Sequence, residues 1–183
     1  GVQTCALPIL PVHPSINNYD NTLANGIAHY YKMQGETFVF RCINRLDRDT
    51  TGLLIIAKNA LSASILSNQM KRREIHRTYL AVVSGNPKKD TDTITAPIAR
   101  KENSAIERCI DFQNGEQAVT HYQLITSRED YSLLKLSLET GRTHQIRVHM
   151  KYIGNPLLGD YLYNPDFSKI QRVALHSYRL NFI

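Results

Sequence analysis

Hydrophobic positions recur at helical spacing from Asn21 to Gln34: Leu23, Ile27, Tyr30 and Tyr31 share one side, Asp20 and Asn21 precede them, and Gly35 supplies a stop. A first helix is expected there. A short run rich in β-branched and aromatic residues follows, Thr37 to Ile43, and then a second apolar run, Leu53 to Ala57. The polar stretch Asn44 to Thr51 parts them, so the order reads strand, loop, strand. Asn59 can cap a second helix reaching about Arg72. Leu61, Ile65, Leu66 and Met70 are expected on its inner face, and Lys71, Arg72 and Arg73 sit where the helix dipole favours cations. Thr78 to Val83 then reads as a strand closed by Gly85.

From Asn86 to Gln117, prolines and the basic pairs Lys88–Lys89 and Arg100–Lys101 break the pattern into short β-like pieces such as Thr93 to Ile98, as in an edge region or insertion. Ala118 to Thr126 and Tyr131 to Glu139 alternate in polarity around the turn Ser127 to Asp130, with Leu134, Leu136 and Leu138 on one face, and predict a hairpin. Thr143 is the expected cap of a third helix that turns Ile146, Met150 and Ile153 inward and stops at Gly154. Ala174 to Ile183 closes the chain as a strand. The expected fold class is therefore α+β: a single catalytic domain over residues 10–183, with a largely antiparallel, mixed sheet and flanking helices. Residues 1–9 have no evident role in those elements and read as a non-native leader ahead of an N-terminally truncated domain.

Charge narrows the partners. Lys and Arg outnumber Asp and Glu by 22 to 16, giving +6, a balance that suits a polyanion such as nucleic acid. The richest apolar run, Leu53 to Ala57, ends at Lys58, far short of the roughly 18 residues a membrane helix needs. No membrane association is expected. Cys5, Cys42 and Cys109 lie far apart without a Cys-x-x-Cys pair, so neither a disulfide framework nor a zinc ribbon is expected and a reducing cytoplasm fits.

Three stretches carry candidate chemistry. In Ile43 to Lys58 a charged, glycine-containing loop between apolar runs can present Asp47 rigidly, although Asp47, Asp49 and the arginines can equally form a solvated ion-pair cluster. In Ser137 to Asp160 a strand ends at Thr140 and Gly141, and a helix begins beside Arg142, His144 and Arg147. Its first N–H groups and the arginines can hold a phosphate or orient a carboxylate, and Arg147 can also be a plain solvated residue. In Arg73 to Gly85, Tyr79 is either a packing ring, a stacking surface for a base or a proton carrier. His144 and His149 are five apart, with no HExxH pattern, so no metal site is expected.

In this order the stretches resemble the RluA-type family of pseudouridine synthases, which modify ribosomal and transfer RNA. The resemblance runs from about Leu10 to Phe182, through PVHPS at Pro11 to Ser15, RLDRDTTGLLIIAK, TYLAVV, LETGRTHQIRVHM, NPLLGD and LHSYRLNF. It implies an isomerase that converts uridine in RNA to pseudouridine in an RNA-binding cleft, without cofactor or metal, as a cytoplasmic monomer. It implies that Asp47 is the essential carboxylate, that Tyr79 lies beside the uracil, and that Arg147 pairs with Asp47. Around the substrate it places Arg45, Leu46, Thr51 and Gly52 of the first signature, Arg142, His144 and Gln145 of the second, and the apolar Leu175. Arg45 is expected to occupy the space left by the flipped nucleotide.

Two departures are ordinary variation, Asn44 where many members have histidine and Thr51 where many have serine. A third is larger: the early strand that usually carries a lysine-proline pair is missing. The rival readings are an RNA-binding or RNA-folding protein that keeps the fold without the chemistry, and a hydrolytic glycosidase. The second needs another placed acid, which no motif singles out.

Overall fold

The computed structural model describes residues 2–6, 10–15, 19–166 and 168–182. The elements run β1 (Val2–Ala6), α1 (Leu23–Met33), β2 (Thr51–Ile56), α2 (Ala60–Lys71), β3 (His76–Ser84), β4 (Thr91–Thr95), β5 (Ile98–Arg100), β6 (Arg108–Ile110), β7 (Val119–Ser127), β8 (Tyr131–Leu138), α3 (Gln145–Tyr152) and β9 (Leu175–Asn181). The chain forms two compact units, residues 1–76 with 177–183 and residues 77–176. Each mixes helix and strand, and the class is α+β, as the periodicities predict.

In the first unit β2 lies between β1 and β9. Residues 2–6, which the sequence pattern leaves outside the fold, pair antiparallel with β2 from Val2 against Ile56 to Ala6 against Gly52; residues 7–9 lie outside the described residues. Their role is through the backbone ladder, which hydrophobic periodicity does not report. The strand expected over Thr37 to Ile43 is reduced to one bridge, Cys42 with Ile56. Instead, Phe38 stacks on Tyr31 of α1 with ring centroids 4.2 Å apart, so its aromatic character serves the helix and not a sheet.

Helix α1 starts at Thr22 and not at Asp20 or Asn21: Thr22 Oγ1 accepts from Asn25 N, and Asn25 Oδ1 accepts from Thr22 N, a reciprocal cap. Asn59 caps α2 as expected, accepting from Ser62 N at 2.8 Å. The inner face of α2 is different from the expected one. Leu66 packs into a cluster with Ile55, Ala57, Ile75 and Leu180, flanked by Ala63 and Met70, whereas Leu61 and Ile65 are 73% and 50% exposed. The spacing 63, 66, 70 is as helical as 61, 65, 66, 70, and only the position of the strands beneath selects between them.

In the second unit β3, β8, β7 and β4 lie side by side, each neighbouring pair antiparallel. Alternation does the work: Tyr79, Ala81 and Val83 of β3 and Leu134 and Leu136 of β8 are buried. The hairpin of β7 and β8 forms where expected, with a bulge between Leu124 and Thr126 that leaves Ile125 exposed. β4 joins at the edge, while β5 and β6 make a separate two-stranded ribbon. α3 packs beside that ribbon, with Val148 against Ile98, Ala118 and Tyr163. Among the described residues no helix is long and apolar enough to cross a membrane.

Candidate functional site

The first unit presents Asp47 on a tight turn, in which Thr50 N donates to Asp47 O at 2.9 Å just before β2 begins at Thr51. The turn stands on a buried base. Leu46, Thr50 and Gly52 are buried, while Asp47 and Thr51 are half-buried and Arg45 is exposed. Asp49 is itself buried and takes Arg48 Nε at 3.3 Å. Asn44 anchors the approach: its Oδ1 accepts from Ile55 N at 2.8 Å, and its buried Nδ2 finds no acceptor among the described residues. Beside it lies a cleft of about 510 Å³, whose wall includes Val12, His13, Asn44, Arg45 and Arg48 and, among the described residues, no carboxylate. Such a cleft suits an acceptor-rich, anionic occupant. Burial lifts the neighbouring Cys42 thiol to about 11, which keeps it protonated and unreactive.

The second unit holds the other candidates. Tyr79 is buried in β3, paired across to Leu136 of β8, and Leu175 is buried at the start of β9. The expected cap Thr143 does not cap α3. The N-cap is His144, in the left-handed region at φ 57° and without a side-chain cap. Its ring serves another purpose, because Nδ1 lies 2.8 Å from the Tyr163 hydroxyl, which also accepts from Arg108 N at 2.8 Å. Burial pushes Tyr163 up to about 12, so the hydroxyl keeps its proton at neutral pH; it bonds to His144 Nδ1 as donor or as acceptor according to the imidazole tautomer.

Gln145, which the resemblance places at the substrate, is buried, and its amide is committed to the protein. Nε2 donates to Val119 O (2.9 Å) and Thr120 Oγ1 (3.0 Å), while Oε1 accepts from Thr140 Oγ1 (2.7 Å) and Arg142 N (3.0 Å). Two of these bonds hold the loop before α3 and two tie the helix start to the first residues of β7. Arg142 is exposed, ion-paired with Glu116 and bonded to Gln117 O at 3.1 Å. Among the named basic groups Arg72 is paired with Glu74 and Lys101 with Glu107.

His149 extends the same network. Fully buried, it lies 2.9 Å from both Thr120 Oγ1 and Ala96 O. Donors and acceptors match if Gln145 donates to Thr120, Thr120 to His149 Nδ1, and His149 Nε2 to Ala96 O. Both ring nitrogens are thus in use. Among the described residues no three His, Cys, Asp or Glu side chains cluster around a metal position. Burial lowers the His149 pKa below the ordinary 6.5, with the Ala96 bond opposing. A neutral buried imidazole binds fewer protons than the unfolded one between the folded value and 6.5. Its contribution is complete above 6.5 and is lost as pH falls through the folded value. Urea denaturation between about pH 5 and 7.5 is expected to show stability falling on acidification, with a shallower fall in His149→Gln; identical slopes would remove His149 from the account.

Among the described residues Arg147 is the most enclosed cation. It is 2% exposed, and its Nε and Nη2 each lie 2.7 Å from a different oxygen of Asp160, which is fully buried. Its Cζ lies 5.0 Å from the centre of the Tyr163 ring. The resemblance implies a pairing of Arg147 with Asp47; the partner it does not announce is Asp160. Its signal was the NPLLGD motif itself, an acid thirteen residues downstream of a helical arginine, with nothing local to join the two.

With these positions set, likeness to known proteins is informative. A family model described as RNA pseudouridylate synthase matches residues 10–152. The chain is 43% identical over 176 residues to the uncharacterized RNA pseudouridine synthase YjbO of Bacillus subtilis, covering 96% of this chain and 62% of that protein. It is 40% identical over 186 residues to the ribosomal large subunit pseudouridine synthase D of Zymomonas mobilis, covering 94% of this chain and 58% of that one. Among solved structures, human RNA pseudouridylate synthase domain containing 1 aligns with a TM-score of 0.77 and 26% identity, over 95% of this chain and 71% of that chain. The chain thus spans about three fifths of the length of the curated relatives it matches.

Proposed function

The chain belongs to the RNA pseudouridylate synthase family, and from that premise we propose that it isomerises uridine in RNA to pseudouridine, with Asp47 as the reacting carboxylate. What carries the reading is that the matched span holds Asp47, Tyr79 and Arg147, each at its motif position. Asp47 is raised on a turn over a buried base, and Arg147 is a buried, oriented cation. Ribosomal RNA is the first substrate to try, since one of the relatives is named for the large ribosomal subunit. The reading includes a monomer at work in the cytoplasm.

The reaction breaks the bond from C1′ to N1, turns the uracil and forms the bond from C1′ to C5; the C5 proton is lost and N1 takes up a proton, so the product is an isomer of the substrate. No electrons are gained or lost overall. Asp47 acts either as a nucleophile at C1′ or as a base that takes the 2′ proton to give a glycal; we favour the second. Arg147, at the motif arginine, is the cation we propose to orient the reacting carboxylate. Tyr79 takes part as a proton carrier or ring surface at the uracil. The uridine must first leave its stack, at a cost of a few kcal/mol that is lowest in loops and bulges. In this reading Arg45 helps fill the space the uridine leaves, and exposed Arg100 is one of the basic groups that offset the cost at phosphates.

The test is pseudouridine mapping on ribosomal and transfer RNA incubated with the chain. New pseudouridine at a defined uridine is expected. Free uracil would mean hydrolysis, and unchanged RNA that binds tightly would remove the catalytic reading.

A further inference from the structure

We infer that Asp160 is a positioning residue for this reaction, holding Arg147 in one orientation; the inference rests on the catalytic reading of Arg147 above. A guanidinium has two donor edges and a terminal Nη1. Asp160 takes one whole edge, Nε and Nη2 together, at 2.7 Å each. Such a two-point contact removes rotation about the last bonds of the side chain, which a single bond would permit. Nη1 is the group that this clamp leaves for other partners.

Asp160 is itself anchored. Its Oδ1 also accepts from Leu162 N at 3.2 Å and Tyr163 N at 3.3 Å, and its carbonyl accepts from Asn164 N at 2.7 Å. Asn164 in turn donates to Leu157 O and Ser84 Oγ, both at 3.0 Å. Just before it, Gly159 has φ +65°, and a Cβ there would lie 2.0 Å from Arg172 O, so the backbone is pinned at the point where the carboxylate leaves it. The chain from Asn155 to Asn164 is thus a rigid bracket, and Tyr163, carried by the same bracket, lays its ring beside the guanidinium.

Energetics argue that this arrangement is more than packing. Two buried charges of similar volume are often no more stabilising than apolar residues in their place, because desolvation offsets their attraction. A fully buried pair with every acceptor used is therefore weak evidence for stability and better evidence for a required orientation.

The deciding experiment uses Asp160→Asn in the full chain. Asparagine keeps the shape and one acceptor for Leu162 N and Tyr163 N, but loses the charge and one of the two bonds to Arg147. The rate of pseudouridine formation per folded molecule, measured well below the melting temperature, is expected to fall about 10–100-fold, with KM for RNA within about threefold. If Asp160 serves the fold alone, the melting temperature drops but the rate per folded molecule stays within about twofold of wild type, and the inference is overturned. Should the variant lack a cooperative melt, nitrogen-15 spectra of the wild type decide, with the Arg147 signals identified by their loss in Arg147→Lys. Slowly exchanging Nε–H and a hindered guanidinium support the clamp, and a freely rotating, rapidly exchanging one overturns it. Absence of pseudouridine with the wild type would instead overturn the catalytic reading on which the inference rests.

Discussion

Asparagine in place of Asp47 is expected to lower the rate of pseudouridine formation by about 10⁴-fold or more, while the fold and RNA binding survive, a loss in line with removing a reacting group elsewhere. The substitution is isosteric. The turn that presents the residue uses the Asp47 carbonyl and Thr50 N–H, neither of which changes. What disappears is the negative charge, and both routes open to Asp47 need it, as attacking oxygen or as proton acceptor. Pseudouridine mapping with the melting curve and a filter-binding titration separates the cases. Retained conversion would show that another group carries the reaction, and joint loss of melting temperature and binding would make Asp47 structural.

Gly52→Ala is expected to be a severely damaging small change, at about 3–5 kcal/mol, combining overpacking with the strain of a left-handed backbone. Gly52 has φ +110°, and an added Cβ would stand 2.2 Å from Ser177 O and 2.7 Å from Ser177 N. Both are backbone atoms of β9, whose Ser177 Oγ also donates to Leu53 O at 2.9 Å, so the strand cannot simply move away. A fall in melting temperature of about 10 °C or more follows for a chain of this size, and differential scanning calorimetry would register it. A shift under about 2 °C would mean that the strands part more easily than the contacts imply. The resemblance assigned Gly52 to the substrate. The geometry gives it a reason that lies in the fold: no other residue lets β9 approach the end of the Asp47 loop.

The elements most legible in the sequence were those whose signal is local. Asn59 capped its helix because an Asn side chain reaches the third N–H beyond it whatever the surroundings. The β7–β8 hairpin formed because alternation and turn residues coincide within one segment. Where two local solutions were equally good, the sequence could not choose. Leu61 and Ile65 fit a helical stripe as well as Ala63, Leu66 and Met70 do, and Thr143 is a good cap by type, yet the N-cap of α3 is His144, whose ring bonds to Tyr163, nineteen residues on.

The candidate site divides in the same way. The motif order, the family and the identity of Asp47, Tyr79 and Arg147 as the residues to watch were determined by the sequence, because reactive groups are written into contiguous signatures. That Gln145 spends its amide on Val119, Thr120, Thr140 and Arg142, that His149 is a neutral buried link, and that Asp160 grips Arg147 were decided only by the tertiary structure. The reason is physical: a polar residue in a motif looks the same whether it faces substrate or core. Only the acceptors and donors brought to it by distant parts of the chain, once water is excluded, settle which of its hydrogen bonds are already made.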